Sequence, residues 1–204
     1  YGFRKTVNKR VAVFDLGGGT FDISVIEIKK NVFEVIASGG NPTLGGVDFD
    51  DRLMKHILEQ YFDETGIDLS IDRMALQRIR LAAEAAKIKL STVEYVQIHL
   101  PDIQTEEGDS FTLDMELSRG LLERLTHELV ESAIDSFKKI LTEAGTTIEN
   151  LEEVLLVGGQ SRMPLVKLKL KEFLGYEPSH KVHPDEAVAL GAAMMAHSLT
   201  NQST

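Results

Sequence analysis

Three consecutive glycines, Gly17, Gly18 and Gly19, stand between two alternating apolar runs in "VAVFDLGGGTFDISVIEI" at 11–28. Alternation on both sides calls for two strands with one buried face each. So short a connection makes them antiparallel neighbours, because parallel strands need a long crossover. A third run follows after an equally short link, so 10–16, 21–29 and 32–39 read as an antiparallel meander. Glycine loses more backbone freedom on folding than any other residue, so a run of three must supply something side chains cannot. Two explanations remain open on these residues alone. The hairpin needs positive φ, with Asp15 and Asp22 as turn chemistry. Otherwise the bare backbone turns its N–H groups toward an anion such as a phosphate, with Thr20 adding a hydroxyl. In that case Asp15 and Asp22 could hold Mg2+, which prefers oxygen ligands and keeps several waters. The spacing is neither that of a P-loop nor that of a dinucleotide fingerprint.

Beyond the meander, "GNPTLGG" at 40–46 breaks the strand pattern, and helical periodicity runs from 48 to 64 and from 72 to 90. Strand-like pieces at 93–100 and 111–117 flank the acidic loop "QTEEGDS". A long helix is predicted over 118–144, a buried strand in "VLLV" at 154–157, and helices over 163–174 and 185–199. A meander followed by strand–helix pairs describes a mixed α/β sheet, with the segment at about 47–118 interrupting it as an inserted α+β subdomain.

A second glycine pair sits in "EEVLLVGGQSRMPLV", where a strand runs into Gly158, Gly159, Ser161, Arg162 and Pro164 before a helix. Pro164 suits a first helical turn, whose free N–H groups and positive dipole end attract anions. Arg162 can stack on a flat ring or reach a phosphate. Packing alone also explains many strand–Gly-Gly–helix corners. In "RMALQRIRLAAEAAKIKLS", Ala75, Ile79, Ala82, Ala86 and Leu90 share one helical face. Glu84, Lys87 and Ser91 fall opposite, beside Arg80, either as a solvated face with an ordinary Glu–Lys pair or as a polar grip on a ribose and base edge.

Composition narrows the partners. Cys is absent, so disulfides and thiolate metal sites are excluded. A net charge of -10 with no basic cluster disfavours nucleic acid and anionic membrane. The longest apolar run, "AVALGAAMMA" at 187–196, is too short to span a bilayer, and no signal peptide opens the chain. The six His residues show no metal-ligand spacing. A soluble cytoplasmic protein is the expectation.

The strings "FDLGGGTFDISVIE", "LGGVDFDDRL", "AAEAAKIKLS", "LVGGQSRMP" and "HPDEAVALGAA", in this order and covering nearly the whole chain, resemble the nucleotide-binding domain of Hsp70 (DnaK-type) chaperones. That family lies within the actin–hexokinase superfamily, so the resemblance implies one actin-like, RNase H-like ATPase lobe. Its core would be 1–46 with 119–204, and 47–118 the insert. It further implies a site for ATP or ADP in which Gly17, Gly18, Gly19 and Thr20 cradle the β-phosphate and, in ATP, the γ-phosphate. Asp15 matches a residue binding Mg2+ through water, and Asp22 a carboxylate beside the metal and the attacking water, so Asp15, Thr20 and Asp22 are the catalytic candidates. Gly45 and Gly46 match a turn near ribose and phosphates; Glu84, Lys87 and Ser91 match the adenosine grip. Gly158, Gly159 and Arg162 match the other side of the base, and Asp185 an aspartate near the nucleotide. The chain departs from the family pattern at Val47, usually acidic, at His183, usually Asn, and at Ile88, often Arg in eukaryotic members, which suggests a bacterial-type sequence.

By the same resemblance the chain looks like lobe II alone. A second phosphate loop, a catalytic Lys and a Glu of lobe I have no counterpart here, nor do the interdomain linker and the peptide-binding domain. The expected partners are those missing parts, a nucleotide-exchange factor and a J-domain co-chaperone. The isolated chain is expected to be a monomer that binds nucleotide weakly and does not turn it over, although its parent is an ATPase coupled to client folding. The alternatives are a non-catalytic docking module for exchange factors or co-chaperones, and a lobe of a related sugar-kinase-like ATPase. The adenosine-helix match favours the chaperone.

Overall fold

The computed structural model describes residues 9–29, 32–104 and 108–179. The chain divides into two compact units, one within Tyr1–Gly45, Ser132–Arg162 and Val166–Thr204, the other Gly46–Glu131 with Met163–Leu165.

The first unit is built on a four-stranded sheet. Strands β1 (Lys9–Leu16), β2 (Phe21–Lys29) and β3 (Val32–Asn41) form the antiparallel meander that alternation requires, and β6 (Glu153–Val157) joins β1 in parallel, giving the order β3-β2-β1-β6. The β1–β2 register pairs Ala12 with Val25, Phe14 with Ile23 and Leu16 with Phe21, placing all six buried side chains on one face. Phe14 stacks at a tilt on Phe21, ring centroids 4.7 Å apart, and lies 6.0 Å from Phe137 of helix α3 (Arg119–Glu143). The same register puts Asp15 directly opposite Asp22 on the other face, at the strand ends where the glycine loop emerges. Strand β3 runs to Asn41, into the stretch at 40–46 expected to break it: Gly40 still pairs with Asp22.

The second unit holds helices α1 (Gly46–Thr65) and α2 (Arg73–Leu90) and the hairpin of β4 (Tyr95–Gln104) and β5 (Ser110–Ser118). Phe49, Leu53, Ile57 and Tyr61 recur every four residues along α1 and are buried. Facing residues come from α2 (Ala75, Ile79, Ala83, Ala86, Leu90) and from the hairpin (Ile98, Leu113, Met115, Leu117). Asp72 caps α2, its carboxylate accepting from the Ala75 amide at 2.8 Å. The α2 face differs from expectation in two places: Ala83 is buried where Ala82 is only half-buried, and Lys87 belongs to the interior. Helical angle alone cannot see a neighbouring helix that widens the buried arc. Helix α4 (Pro164–Leu174) opens on proline, as the sequence suggested; the predicted helix at 185–199 and Asp185 lie outside the described residues.

Candidate phosphate and nucleoside sites

At the end of the β1–β2 hairpin the Gly17 amide donates to the Thr20 carbonyl at 3.0 Å and closes the turn. Gly18, Gly19 and Thr20 are exposed, and the Gly18 and Gly19 amides have no internal acceptor among the described residues. None of the three glycines has a positive φ. A Cβ added at Gly18 or Gly19 would meet nothing within 4 Å, and at Gly17 only ordinary contacts at 3.6 Å or more. The need for positive φ, one of the two explanations open in the sequence, therefore falls. Neither backbone conformation nor packing requires glycine here, and what it supplies is uncovered backbone.

Where packing does require glycine, it is around the loop. A Cβ on Gly45 would lie 2.5 Å from Gly19 Cα and 2.6 Å from its nitrogen. Gly45 is brought there by a turn in which Asn41 Oδ1 accepts from the Thr43 amide and hydroxyl, both at 2.9 Å. Gly158, at φ +85, leaves room for Leu16: a Cβ would fall 2.3 Å from its carbonyl oxygen and 2.6 Å from Asp15 Oδ1. Ser161, buried, ties that turn by donating its hydroxyl to the Gly158 carbonyl at 2.6 Å. Gly159 and Arg162, the ends of the following 3-10 turn, are exposed. Sequence reasoning missed Gly40. On β3 opposite Asp22, its Cβ would stand 2.0 Å from the Phe21 carbonyl oxygen and 3.0 Å from Asp22 Cα. Its signal was available, since a glycine inside a strand often marks close backbone approach.

The two carboxylates fit a cation. Directly opposed residues on an antiparallel pair sit about 5 Å apart at Cβ, where like charges repel. Burial first, and then the Asp22 charge, raise the Asp15 carboxyl above its ordinary range. A divalent ion carrying most of its own waters would relieve that repulsion with two carboxylates, and no richer group of His, Asp and Glu suited to a metal occurs among the described residues. Thr20 spends its hydroxyl on Asp22 Oδ2 at 3.0 Å, so here it orients that carboxylate.

In the second unit, the proposed adenosine residues are not the exposed row the sequence suggested. Glu84 is exposed and Ser91 half-buried as the C-cap of α2. Lys87 is buried, donating to the Gly46 carbonyl at 2.9 Å with its ammonium 2.9 Å from Asp50 Oδ1. Its partner is thus on α1, while Arg80 faces Asp51 at 3.3 Å. The ordinary Glu84–Lys87 surface pair is overturned, because the long lysine stem reaches the start of α1 instead. Ile88 is exposed.

The family model described as "Hsp70 protein" matches residues 1–204. The chain is similar to "Heat shock protein SSC3, mitochondrial" of Saccharomyces cerevisiae, 48% identical over 204 residues that make up all of this chain and 32% of that relative. It thus spans about a third of the length of the relative it matches. Among the described residues no helix is long and apolar enough to cross a membrane. With the family model matched from end to end, on a mixed α/β architecture consistent with its actin-like ATPase fold, the chain belongs to the Hsp70 family.

Proposed function

We propose that this chain is the ATP- and ADP-binding lobe II of an Hsp70-type chaperone ATPase, with the 17–20 loop as its phosphate cradle. One observation carries the reading: Gly18 and Gly19 are glycines that neither φ nor packing demands, with exposed amides and open space where side chains would be. Glycine there costs stability, so its return must be sought in a ligand that approaches the backbone closely. Asp15 and Asp22 would hold Mg2+ through water, and the ion would supply charge neutralisation for phosphoryl transfer. Asp22, oriented by Thr20, would place the attacking water. Gly45, Gly46, Gly158, Gly159, Arg162 and Asp185 would border the ligand, and Glu84, Lys87 and Ser91 would take the adenosine. The core is read as 1–46 with 119–204 and the insert as 47–118; the break after Gly45 supports the first boundary.

Turnover, client folding, and work with an exchange factor and a J-domain partner belong in this proposal to a longer parent carrying lobe I and a peptide-binding domain. The relative's name places that protein in mitochondria, whereas the cytoplasm is the location proposed here. The test is calorimetric titration of the chain with Mg2+ and ADP, competed by pyrophosphate. Binding near millimolar, about 4 kcal/mol, with pyrophosphate competing, supports the reading. Absence of any nucleotide binding, in this chain and in its full-length parent, overturns it.

A further inference from the structure

Burying a lysine and an aspartate together is expensive, and apolar residues of similar size often serve stability as well or better. Their retention between α1 and α2 therefore asks for a reason beyond cohesion. The Lys87 and Asp50 side chains are 11% and 10% exposed. An ammonium has three donors on a flexible stem and no acceptor. One goes to the Gly46 carbonyl, and the charge faces Asp50 Oδ1 in a contact that is ionic rather than a well-directed hydrogen bond. Burial raises the Asp50 carboxyl above its ordinary range, and Lys87 opposes that rise. Two anchors fix the head group and leave donor capacity for a third oxygen. On α2, Lys87 lies between Glu84, one turn before, and Ser91, one turn after, whose hydroxyl lies 3.5 Å from the Lys87 carbonyl.

We propose that Asp50 is a positioning residue for nucleoside recognition: with the Gly46 carbonyl it holds the Lys87 ammonium so that a proton left over meets a ribose hydroxyl of the bound nucleotide. The assignment rests on the nucleotide reading above and adds to it a residue that contacts no ligand itself. A pair that merely joined α1 to α2 would affect melting and leave ligand choice alone.

The experiment compares ADP, 2′,3′-dideoxy-ADP and pyrophosphate on the full-length parent and on its Asp50→Asn, Asp50→Ala and Lys87→Met variants, with melting curves beside each. The wild type should prefer ADP over the dideoxy analogue by roughly tenfold or more, as a charged hydrogen bond implies. Asp50→Ala and Lys87→Met should bring that preference close to one. Asp50→Asn keeps the volume and an acceptor, so it gives a folded protein even where alanine does not, and its preference should fall partway, by about threefold. Pyrophosphate affinity should stay within about twofold throughout, because the glycine loop is untouched. An undiminished preference in Asp50→Asn, or equal binding of the two nucleotides by the wild type, overturns the assignment while leaving the nucleotide reading intact. A wild type that binds pyrophosphate but no nucleotide removes both.

Discussion

Alanine at Gly18 and Gly19 should make the protein more stable and unable to hold phosphate. Neither residue has a positive φ, and an added Cβ at either meets nothing within 4 Å. Replacing glycine by alanine at such a position stabilises by about 0.4–1 kcal/mol, because the unfolded chain loses freedom. The double variant should therefore gain about 1–2 kcal/mol, or roughly 2–8 °C in melting temperature for a chain of this size. Binding moves the other way. A phosphate oxygen held by an amide lies about 2.9 Å from nitrogen, and two methyl groups would occupy the approach. Losing two charge-assisted hydrogen bonds at about 1.5–3 kcal/mol each weakens ADP by at least a hundredfold. Urea unfolding gives the first quantity, and calorimetry on the full-length parent gives the second. A double variant destabilised by more than about 1 kcal/mol would show that the hairpin itself needs glycine, refuting the reasoning from φ and open space. Unchanged ADP affinity would refute its functional half.

The surrounding glycines should behave oppositely. Gly158→Ala forces a Cβ to 2.3 Å from the Leu16 carbonyl oxygen at φ +85, so unfolding free energy should drop by about 2–5 kcal/mol in the same urea experiment, and a smaller change than 1 kcal/mol would argue against the clamp. In the full-length protein, Asp22→Asn should leave ADP affinity within about threefold while slowing steady-state ATP hydrolysis at least tenfold, since its charge serves the transition state. Equal losses in both would reduce Asp22 to a turn residue. Ile88→Arg places a guanidinium on an exposed position of α2, and should tighten adenosine binding by about 0.5–2 kcal/mol; weaker or unchanged affinity would put the base elsewhere.

What could be read in the sequence was local. The meander followed from alternation and short links, and every described α-helix appeared within two residues of its expected ends because apolar spacing and caps such as Asp72 and Pro164 are written in consecutive residues. The parallel pairing of β6 with β1 was not legible, since "VLLV" carries no mark of its partner and over a hundred residues separate the two strands. Lys87 was misplaced for the same reason: its neighbours Asp50 and Gly46 belong to another helix. Of the candidate site, the 17–20 loop and the opposed Asp15 and Asp22 were visible as a motif. Gly40 was passed over although its signal was there, because a strand-breaking reading of "GNPTLGG" took it for turn chemistry and the strand in fact needs it for room.

In the proposed function the 17–20 loop offers its backbone to phosphate. Amide-resolved NMR titration of the 204-residue chain with Mg2+ and ADP tests it directly, and adenosine alone serves as the phosphate-free control. The largest, saturable shifts are expected at the Gly18, Gly19 and Thr20 amides with ADP, none there with adenosine, and little change at Gly17, whose amide is already bonded to the Thr20 carbonyl. Saturable ADP binding that leaves Gly18, Gly19 and Thr20 unmoved would contradict it.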